Sequence, residues 1–133
     1  MNIQNMSKDQ VTYNLMKKSL DASSTRSRAI SNNIANINTK GYKRQYVTFE
    51  ESLNRSIDDL ELKTSDEKHM KYGSEYGEIK VETDKSSSIR EDGNNVDIEN
   101  EETNQAANTL MYNALISQIN SRLSMERYVV NGK

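Results

Sequence analysis

Several residue types are missing from this chain, and each absence excludes a kind of site. Its 133 residues include no cysteine, no proline and no tryptophan, and only one histidine and one phenylalanine. Without cysteine, neither a disulfide framework nor a thiolate zinc site can form. His69 stands alone in a polar stretch, so no catalytic triad and no histidine metal site is indicated. We therefore expect a protein that is not an enzyme, with no cofactor, no metal and no small-molecule substrate.

Long apolar runs are also missing. No stretch approaches the roughly 20 apolar residues of a membrane span, and residues 1–20 lack the apolar core and cleavage site of a signal peptide. Val, Ile, Leu and Phe together make up about 19% of the chain, close to the level at which disorder is expected. The net charge of −2 is nevertheless low for a disordered chain. We expect a marginally stable monomer whose helices gain much of their burial from partners.

Charge is distributed unevenly along the sequence. Residues 1–50 carry eight Lys/Arg and three Asp/Glu, residues 51–104 carry seven and sixteen, and residues 105–133 carry three and one. This is either an ordinary solvated surface or a pattern that favours stacking of acidic middles against basic ends. The acidic balance argues against nucleic-acid binding, despite a small basic cluster around Tyr42.

The N-terminal part predicts a long helix from about Ser7 to residue 38. Its apolar positions recur at steps of three and four, which is the spacing of a coiled coil. Ser23 and Ser27 interrupt the stripe, and they either allow a close helix approach or weaken the seam. Gly41 is suited to the left-handed conformation that ends helices. The stripe is compatible both with packing inside the monomer and with packing against a neighbour.

The middle of the chain is polar and turn-rich. Residues 42–48 are expected to be extended, and residues 49–62 to form a short amphipathic helix. Alternation at Ile79, Val81 and Thr83 predicts a half-buried strand. A return strand at 88–90 would complete a small β-hairpin, and the alternative is an irregular segment.

The C-terminal part predicts a second long helix, over residues 97–130. Asp97 is a good N-cap, and apolar residues between 110 and 119 cover most of the helix circumference. So small a chain has little else to enclose such a helix, which favours burial between subunits. The preceding run from Asp92 has valine at position 96, where a calcium loop needs an oxygen ligand, so a turn and a helix cap explain it better.

These elements define a mainly α fold. We expect two long terminal helices paired as an antiparallel coiled coil, with a short helix and a small β-hairpin or irregular segment between them. The chain divides into residues 1–48 with the first helix, a partly flexible middle over residues 49–95, and residues 96–133 with the pairing helix.

Two segments carry a family resemblance. Residues 29–44 read AISNNIANINTKGYKR, which resembles the N-terminal signature A-N-N-I-A-N-x-N-T-P-G-Y-K of bacterial flagellar rod and hook proteins. Ser31 and Lys40 replace the usual alanine and proline. Residues 92–97, DGNNVD, and the helix that contains LMYNAL at 110–115 are similar to the C-terminal signature of the short proximal rod proteins.

The resemblance implies a structural subunit that assembles helically into the basal-body rod and transmits torque from motor to hook. It implies export by the flagellar type III apparatus without a cleaved signal, into the periplasmic or cell-wall space. Implied partners are further copies, other rod proteins, a FliE-like adaptor and the membrane-ring protein. The alternatives are another short axial rod protein and a non-catalytic helical adaptor.

We expect the assembly interface to combine the apolar seams with the signature residues. Asn32, Asn33 and Asn36 lie off the seam and are predicted to hydrogen-bond to adjacent subunits. The full predicted set is Leu20, Ile30, Asn32, Asn33, Ile34, Asn36, Ile37, Gly41, Tyr42, Leu110, Tyr112, Leu115, Ile116, Ile119 and Leu123.

Overall fold

The computed structural model describes residues 8–54, 77–86 and 90–132. Along the chain, α1 spans Lys8–Ala35, β1 spans Gln45–Thr48, β2 spans Lys80–Thr83 and α2 spans Ile98–Asn131. Residues 50–54 are also helical, which is where the short helix was predicted to begin. The rest of that helix, His69 and residues 88–89 of the return strand lie outside the described residues. The mainly α prediction is confirmed.

Helix α1 ends three residues earlier than predicted, at Ala35. Beyond it, the Asn36 N–H is shared between the carbonyls of Asn32 and Asn33, at 3.1 and 3.2 Å, and the Ile37 N–H reaches back only three residues, to Ile34. This tighter hydrogen bonding converts the last turn into a series of turns. Gly41 then takes the left-handed conformation as expected, with φ of 73°.

Helix α2 begins and ends within one residue of the predicted range 97–130. The Asp97 carboxylate accepts hydrogen bonds from the backbone N–H groups of Glu99 and Asn100, which satisfies two of the donors left free at a helix start. At the other end, Gly132 is left-handed and its N–H donates to the Tyr128 carbonyl at 2.8 Å. Both ends of α2 are therefore defined by local contacts.

The two long helices pack against each other with opposite chain directions. Ser23 bonds to Asn108, Ser27 to Gln105 and Asn33 to Glu101, so the α2 partner number falls as the α1 number rises. Ser23 is fully buried, and its hydroxyl donates to the Asn108 side-chain oxygen while the Asn108 amide donates to the Ser23 carbonyl, both at 2.9 Å. The small serine therefore allows close helix approach, the first of the two alternatives left open above.

The β structure differs from the predicted hairpin. Strand β2 pairs antiparallel with β1, which lies more than 30 residues away, in the register Gln45 to Thr83 and Thr48 to Lys80. All four β2 residues are exposed, so the expectation of a half-buried strand is wrong. The alternating apolar and polar residues at 79–83 therefore belong to one exposed strand of a small two-stranded sheet.

Within the described residues, the apolar core is small and lies where β1 meets α1. It consists of Ala22, Ala29, Ile30, Val47, Phe49 and Val96. Gly77 lies against Phe49, and the Ser52 hydroxyl links this point to Glu78 by bonding both its N–H and its carbonyl. So few buried apolar residues make the polar contacts described next important for holding the helices together.

Candidate functional site

The two signature segments lie against each other in the folded chain. The Gly41 N–H donates to the Asp92 carbonyl at 2.8 Å, and a Cβ built on Gly93 would lie 3.7 Å from the Gly41 Cα. The sharp turns at both glycines therefore bring the two backbones into contact. We call this region, built from residues 33–45 and 90–101, the signature junction.

The Asn94 side chain hydrogen-bonds to the turn that follows α1. Its side chain is fully buried, and its amide nitrogen lies 2.9–3.0 Å from the carbonyl oxygens of Asn36, Ile37 and Thr39. Helix ends leave such carbonyls without partners. A side chain from the second signature therefore takes the place of a cap for the first helix.

Asn33 joins three parts of the fold through one buried amide. Its nitrogen donates to the Gln45 carbonyl at 2.7 Å and to the Glu101 carboxylate at 2.9 Å. Its oxygen accepts from the Gln45 N–H at 2.8 Å and from the Tyr42 hydroxyl at 3.2 Å. The side chain thus bonds both backbone groups of Gln45, as a neighbouring strand would. We predicted that Asn33 contacts an adjacent subunit, whereas in this chain its side chain is fully buried and hydrogen-bonds within the fold.

Glu101 supplies the negative charge of the junction. Its fully buried carboxylate accepts from Arg44 Nε at 2.5 Å and from the Asn33 amide. A buried charge is tolerated only when it is paired and hydrogen-bonded, and here both conditions hold. Burial, together with the nearby negative charge of Glu101, raises the pKa of Tyr42. The Tyr42 hydroxyl therefore remains a proton donor to Asn33 well above neutral pH.

Asn95 fixes the sheet beside this cluster. Its side-chain oxygen accepts from the Arg44 N–H at 2.7 Å, and its amide donates to the Asp84 carbonyl at 3.2 Å. The Asp84 N–H in turn donates to the Arg44 carbonyl at 2.8 Å. The junction therefore sets the register in which β2 joins β1.

The remaining predicted site residues fall into two groups. Ile30 is buried, and Leu20, Ile34, Asn36, Ile37, Leu115, Ile116 and Ile119 are half-buried. Gly41 is exposed at the junction and Asn32 is exposed just before it, and Leu110, Tyr112 and Leu123 are exposed along α2. The structure thus brings the signature residues together, and it leaves part of the predicted α2 set facing outward.

Exposed apolar side chains on α2 extend from the predicted set to the C-terminal end of the helix. Leu110, in the predicted set, is 72% exposed, and Val130, outside it, is 82% exposed. Met125, Tyr128 and Val129 are also exposed large apolar residues. Helix α1 covers one face of α2, and these large apolar side chains remain in contact with water in the isolated chain.

Known proteins match this chain along most of its length. Residues 20–43 match the family described as flagella basal body rod protein. The flagellar basal body rod protein FlgB of Borrelia hermsii is 37% identical, over 84% of this chain and 86% of that protein. This chain belongs to the FlgB family of flagellar rod proteins. FlgB of Bacillus subtilis is 29% identical over 91% of this chain and 94% of that protein, and FlgB of Borreliella burgdorferi is 35% identical over 72% and 78%.

Membership of the FlgB family makes the chain a structural subunit of the proximal rod in the flagellar basal body. It therefore associates with other components of the rod and basal body. Within the described residues, no helix combines the length and apolar character needed to cross a bilayer. The family resemblance of the two sequence signatures is confirmed.

Sequence reasoning missed Arg44, Asn94, Asn95 and Glu101 as members of the junction. Two signals pointed to them: the paired asparagines of the second signature, and a glutamate one turn into α2 opposite a basic residue that follows the first signature. Neither signal identifies the residue that each side chain contacts, because the two signature segments are separated by more than 45 residues.

Proposed function

We propose that this chain acts as a stiff rod subunit whose two helices pair as an antiparallel coiled coil, and whose outward α2 surface contacts neighbouring rod subunits. The observation that carries the proposal is the set of large apolar side chains that remain exposed on α2 although α1 already packs against one side of this helix. Burying apolar surface contributes roughly 25 cal/mol per Å², so these side chains favour association.

The proposed interface follows the structure of the helix pair. Leu110, Tyr112 and Leu123 are exposed and contact other subunits directly. The half-buried seam residues, including Leu20, Ile34 and Ile119, complete the contacts at the edges of the helix pair. In this proposal residues 1–48 and 96–133 build the rod contacts, and residues 49–95 lie between them.

The signature junction has a mechanical role in this proposal. A subunit that transmits torque must not let its helices slide, and van der Waals contacts alone are non-directional. The amide of Asn33, the amide of Asn94 and the Arg44–Glu101 ion pair are directional contacts that fix the axial position of α1 against α2. Replacing them is therefore expected to affect torque transmission as well as stability.

The partners follow from the family and from the α2 surface. We propose further copies, other rod proteins, a FliE-like adaptor and the membrane-ring protein as neighbours, after export through the flagellar type III apparatus without a cleaved signal. Co-purification of the chain with the FliE-like protein from detergent-solubilised basal bodies tests the adaptor contact. Recovery of the rod without that protein would contradict it.

A pair of substitutions on α2 tests the interface. Leu110→Asp places a charge at an exposed apolar position of α2, and we expect loss of swimming in a strain that depends on the variant. The matched control is Ser117→Asp, which adds the same charge at an exposed polar position of the same helix. Both variants should keep the unfolding free energy within about 0.5 kcal/mol of the parent, because both sites are exposed. Normal swimming of the Leu110→Asp strain would refute the assigned surface.

A further inference from the structure

One pair of residues at the end of α2 has the sequence that favours spontaneous deamidation. Asn131 is followed by Gly132, and no other asparagine in the sequence is followed by glycine. In such a pair the glycine nitrogen attacks the carbon of the asparagine side-chain amide, because glycine has no Cβ to hinder the approach. The pair is therefore a candidate site for a change in covalent structure and in charge.

The structure leaves the Asn131 side chain open to this reaction. Asn131 is exposed, and its side chain makes no hydrogen bond to any residue that the structure describes. The side chains of Asn33 and Asn94 are instead fully buried and hydrogen-bonded in the signature junction. Asn131 therefore differs from these two asparagines in its surroundings as well as in the residue that follows it.

The last turn of α2 controls the attacking nitrogen. The Gly132 N–H donates to the Tyr128 carbonyl at 2.8 Å, so the nitrogen must leave this bond before it reaches the Asn131 side chain. Helix ends fray at little cost in free energy. Tyr128, Val129 and Val130 are largely exposed, so opening of this turn breaks few tertiary contacts. The reaction therefore needs only the last turn to open, while the rest of the chain stays folded.

The Asp92–Gly93 pair is held closed, although an aspartate before glycine forms the same cyclic imide by losing water. The Asp92 carboxylate accepts from the Arg90 side chain at 2.8 Å and from the Asn94 N–H at 3.0 Å. The Gly93 N–H donates to the Arg90 carbonyl at 3.0 Å. Opening this turn would disrupt the signature junction, because Asn94 also bonds to the turn that follows α1. The fold therefore separates two pairs that are similar in sequence.

We propose that Asn131 deamidates spontaneously in the folded chain, and that the reaction loosens the end of α2. The Gly132 nitrogen forms a bond to Asn131 Cγ, the bond from Cγ to Nδ2 breaks, and the amide nitrogen leaves as ammonia with the proton of the Gly132 N–H. Water then opens the cyclic imide at either carbonyl, which gives aspartate or isoaspartate. The reaction consumes water, releases ammonia and adds a negative charge, and it needs no oxidant or reductant.

Both products disfavour the last turn of α2. A carboxylate at the C-terminal end of a helix meets the negative end of the helix dipole, and the last turn of α2 has no basic residue to offset it. Isoaspartate also adds a methylene to the backbone, which displaces the Gly132 N–H from the Tyr128 carbonyl. This chemistry depends on the chain itself and not on the proposed contacts between rod subunits.

Mass spectrometry of the purified full chain tests the modification. After incubation of the folded chain at mildly alkaline pH, trypsin releases residues 128–133 as one peptide, because Arg127 precedes them. We expect this peptide to gain about one mass unit and to become a substrate of isoaspartyl methyltransferase. The peptide of residues 91–122, which contains Asp92–Gly93, is the internal control and should form isoaspartate more slowly. Asn131→Gln should abolish the change in residues 128–133, because the longer side chain forms the cyclic imide poorly.

A parallel sample unfolded in guanidinium chloride reports the reaction without the fold. If residues 128–133 stay unmodified in the folded chain while the unfolded sample reacts, the last turn protects Asn131 and the proposal is wrong. No reaction in either sample would also overturn it. Formation of isoaspartate in residues 91–122 as fast as in residues 128–133 would contradict the distinction between the two pairs.

Hydrogen exchange tests the loosening of the helix end. Asn131→Asp reproduces the charge of one product, and we expect the Gly132 amide to exchange about two- to fivefold faster than in the parent. Asn113→Asp makes the same change at an exposed position in the middle of α2, and this matched control should leave the exchange of Gly132 unchanged. Equal exchange of Gly132 in the parent and in Asn131→Asp would overturn this part of the proposal.

Discussion

Asn33→Ala removes the amide at the centre of the signature junction. In the parent chain this amide makes four hydrogen bonds, two to the backbone of Gln45, one to Glu101 and one from Tyr42. Alanine can make none of them. The substitution therefore leaves two backbone groups, a carboxylate oxygen and a hydroxyl without this partner.

The expected loss of stability follows from those four bonds. A typical intramolecular hydrogen bond contributes a net of about 0.5–1.5 kcal/mol, so four give roughly 2–6 kcal/mol. Water can reach the part-buried Gln45 and Tyr42 after the substitution, which reduces the loss at these groups. Glu101 is fully buried and keeps only its Arg44 contact. We expect a decrease of about 4 kcal/mol in the free energy of unfolding, a large share of the roughly 5–15 kcal/mol of a typical domain.

Urea unfolding of the purified chain, followed by far-UV circular dichroism, measures this decrease. Asn32→Ala is the matched control, because Asn32 is the preceding residue of the same motif and its side chain is exposed. We expect the control to stay within about 0.5 kcal/mol of the parent. If Asn33→Ala unfolds within about 1 kcal/mol of Asn32→Ala, the buried hydrogen bonds do not hold the helices together and the mechanical role of the junction is refuted.

Two further predictions concern packing and pH. Gly77→Ala should lower the free energy of unfolding by about 1–3 kcal/mol, because the new Cβ would lie 2.9 Å from Phe49 at a φ of 53°. Gly132→Ala is the control, because its Cβ would have no atom within 4 Å and would add only the strain of the left-handed conformation. Equal losses in urea titrations of the two variants would contradict the steric explanation. Burial raises the pKa of Glu50, but hydrogen bonds from Arg26 and the backbone outweigh it and lower that pKa below 4.5. The partly exposed Arg26–Glu50 pair therefore stabilises the fold by at most about 1 kcal/mol when the pH is above 4.5. This contribution disappears as the pH falls through the lowered pKa of Glu50. In the parent chain this contribution to the free energy of unfolding is present at neutral pH and absent at about pH 3. Arg26→Met should remove it, so that urea titrations at the two pH values differ less for the variant than for the parent. An unchanged difference would show that the pair does not cause it.

Short-range patterns in the sequence predicted several features correctly. The spacing of apolar residues predicted both long helices, Asp97 predicted the start of α2, and Gly41 predicted a left-handed turn. Such features depend on residues within about four positions of each other, and local hydrogen bonds and side-chain spacing decide them. The family signatures are local in the same sense.

Long-range pairings could not be predicted in the same way. The pattern at 79–83 indicated a strand, but β2 pairs with β1 rather than with a nearby return strand, because the junction around Asn95 fixes its register against Arg44. Which of Asn32 and Asn33 is buried could also not be predicted from the sequence. One is fully buried and the other exposed only because α1 is oriented with position 33 towards β1 and α2.

The sequence alone therefore determined the two long helices, the N-cap of α2 and membership of the flagellar rod proteins. The tertiary structure decided which polar residues are buried, since burial depends on what packs against a position and not on its neighbours in the chain. It turned two motifs, separated by more than 45 residues, into one hydrogen-bonded junction. It also decided that the apolar surface of α2 is only partly used within the chain, because α1 can cover only one face of a helix.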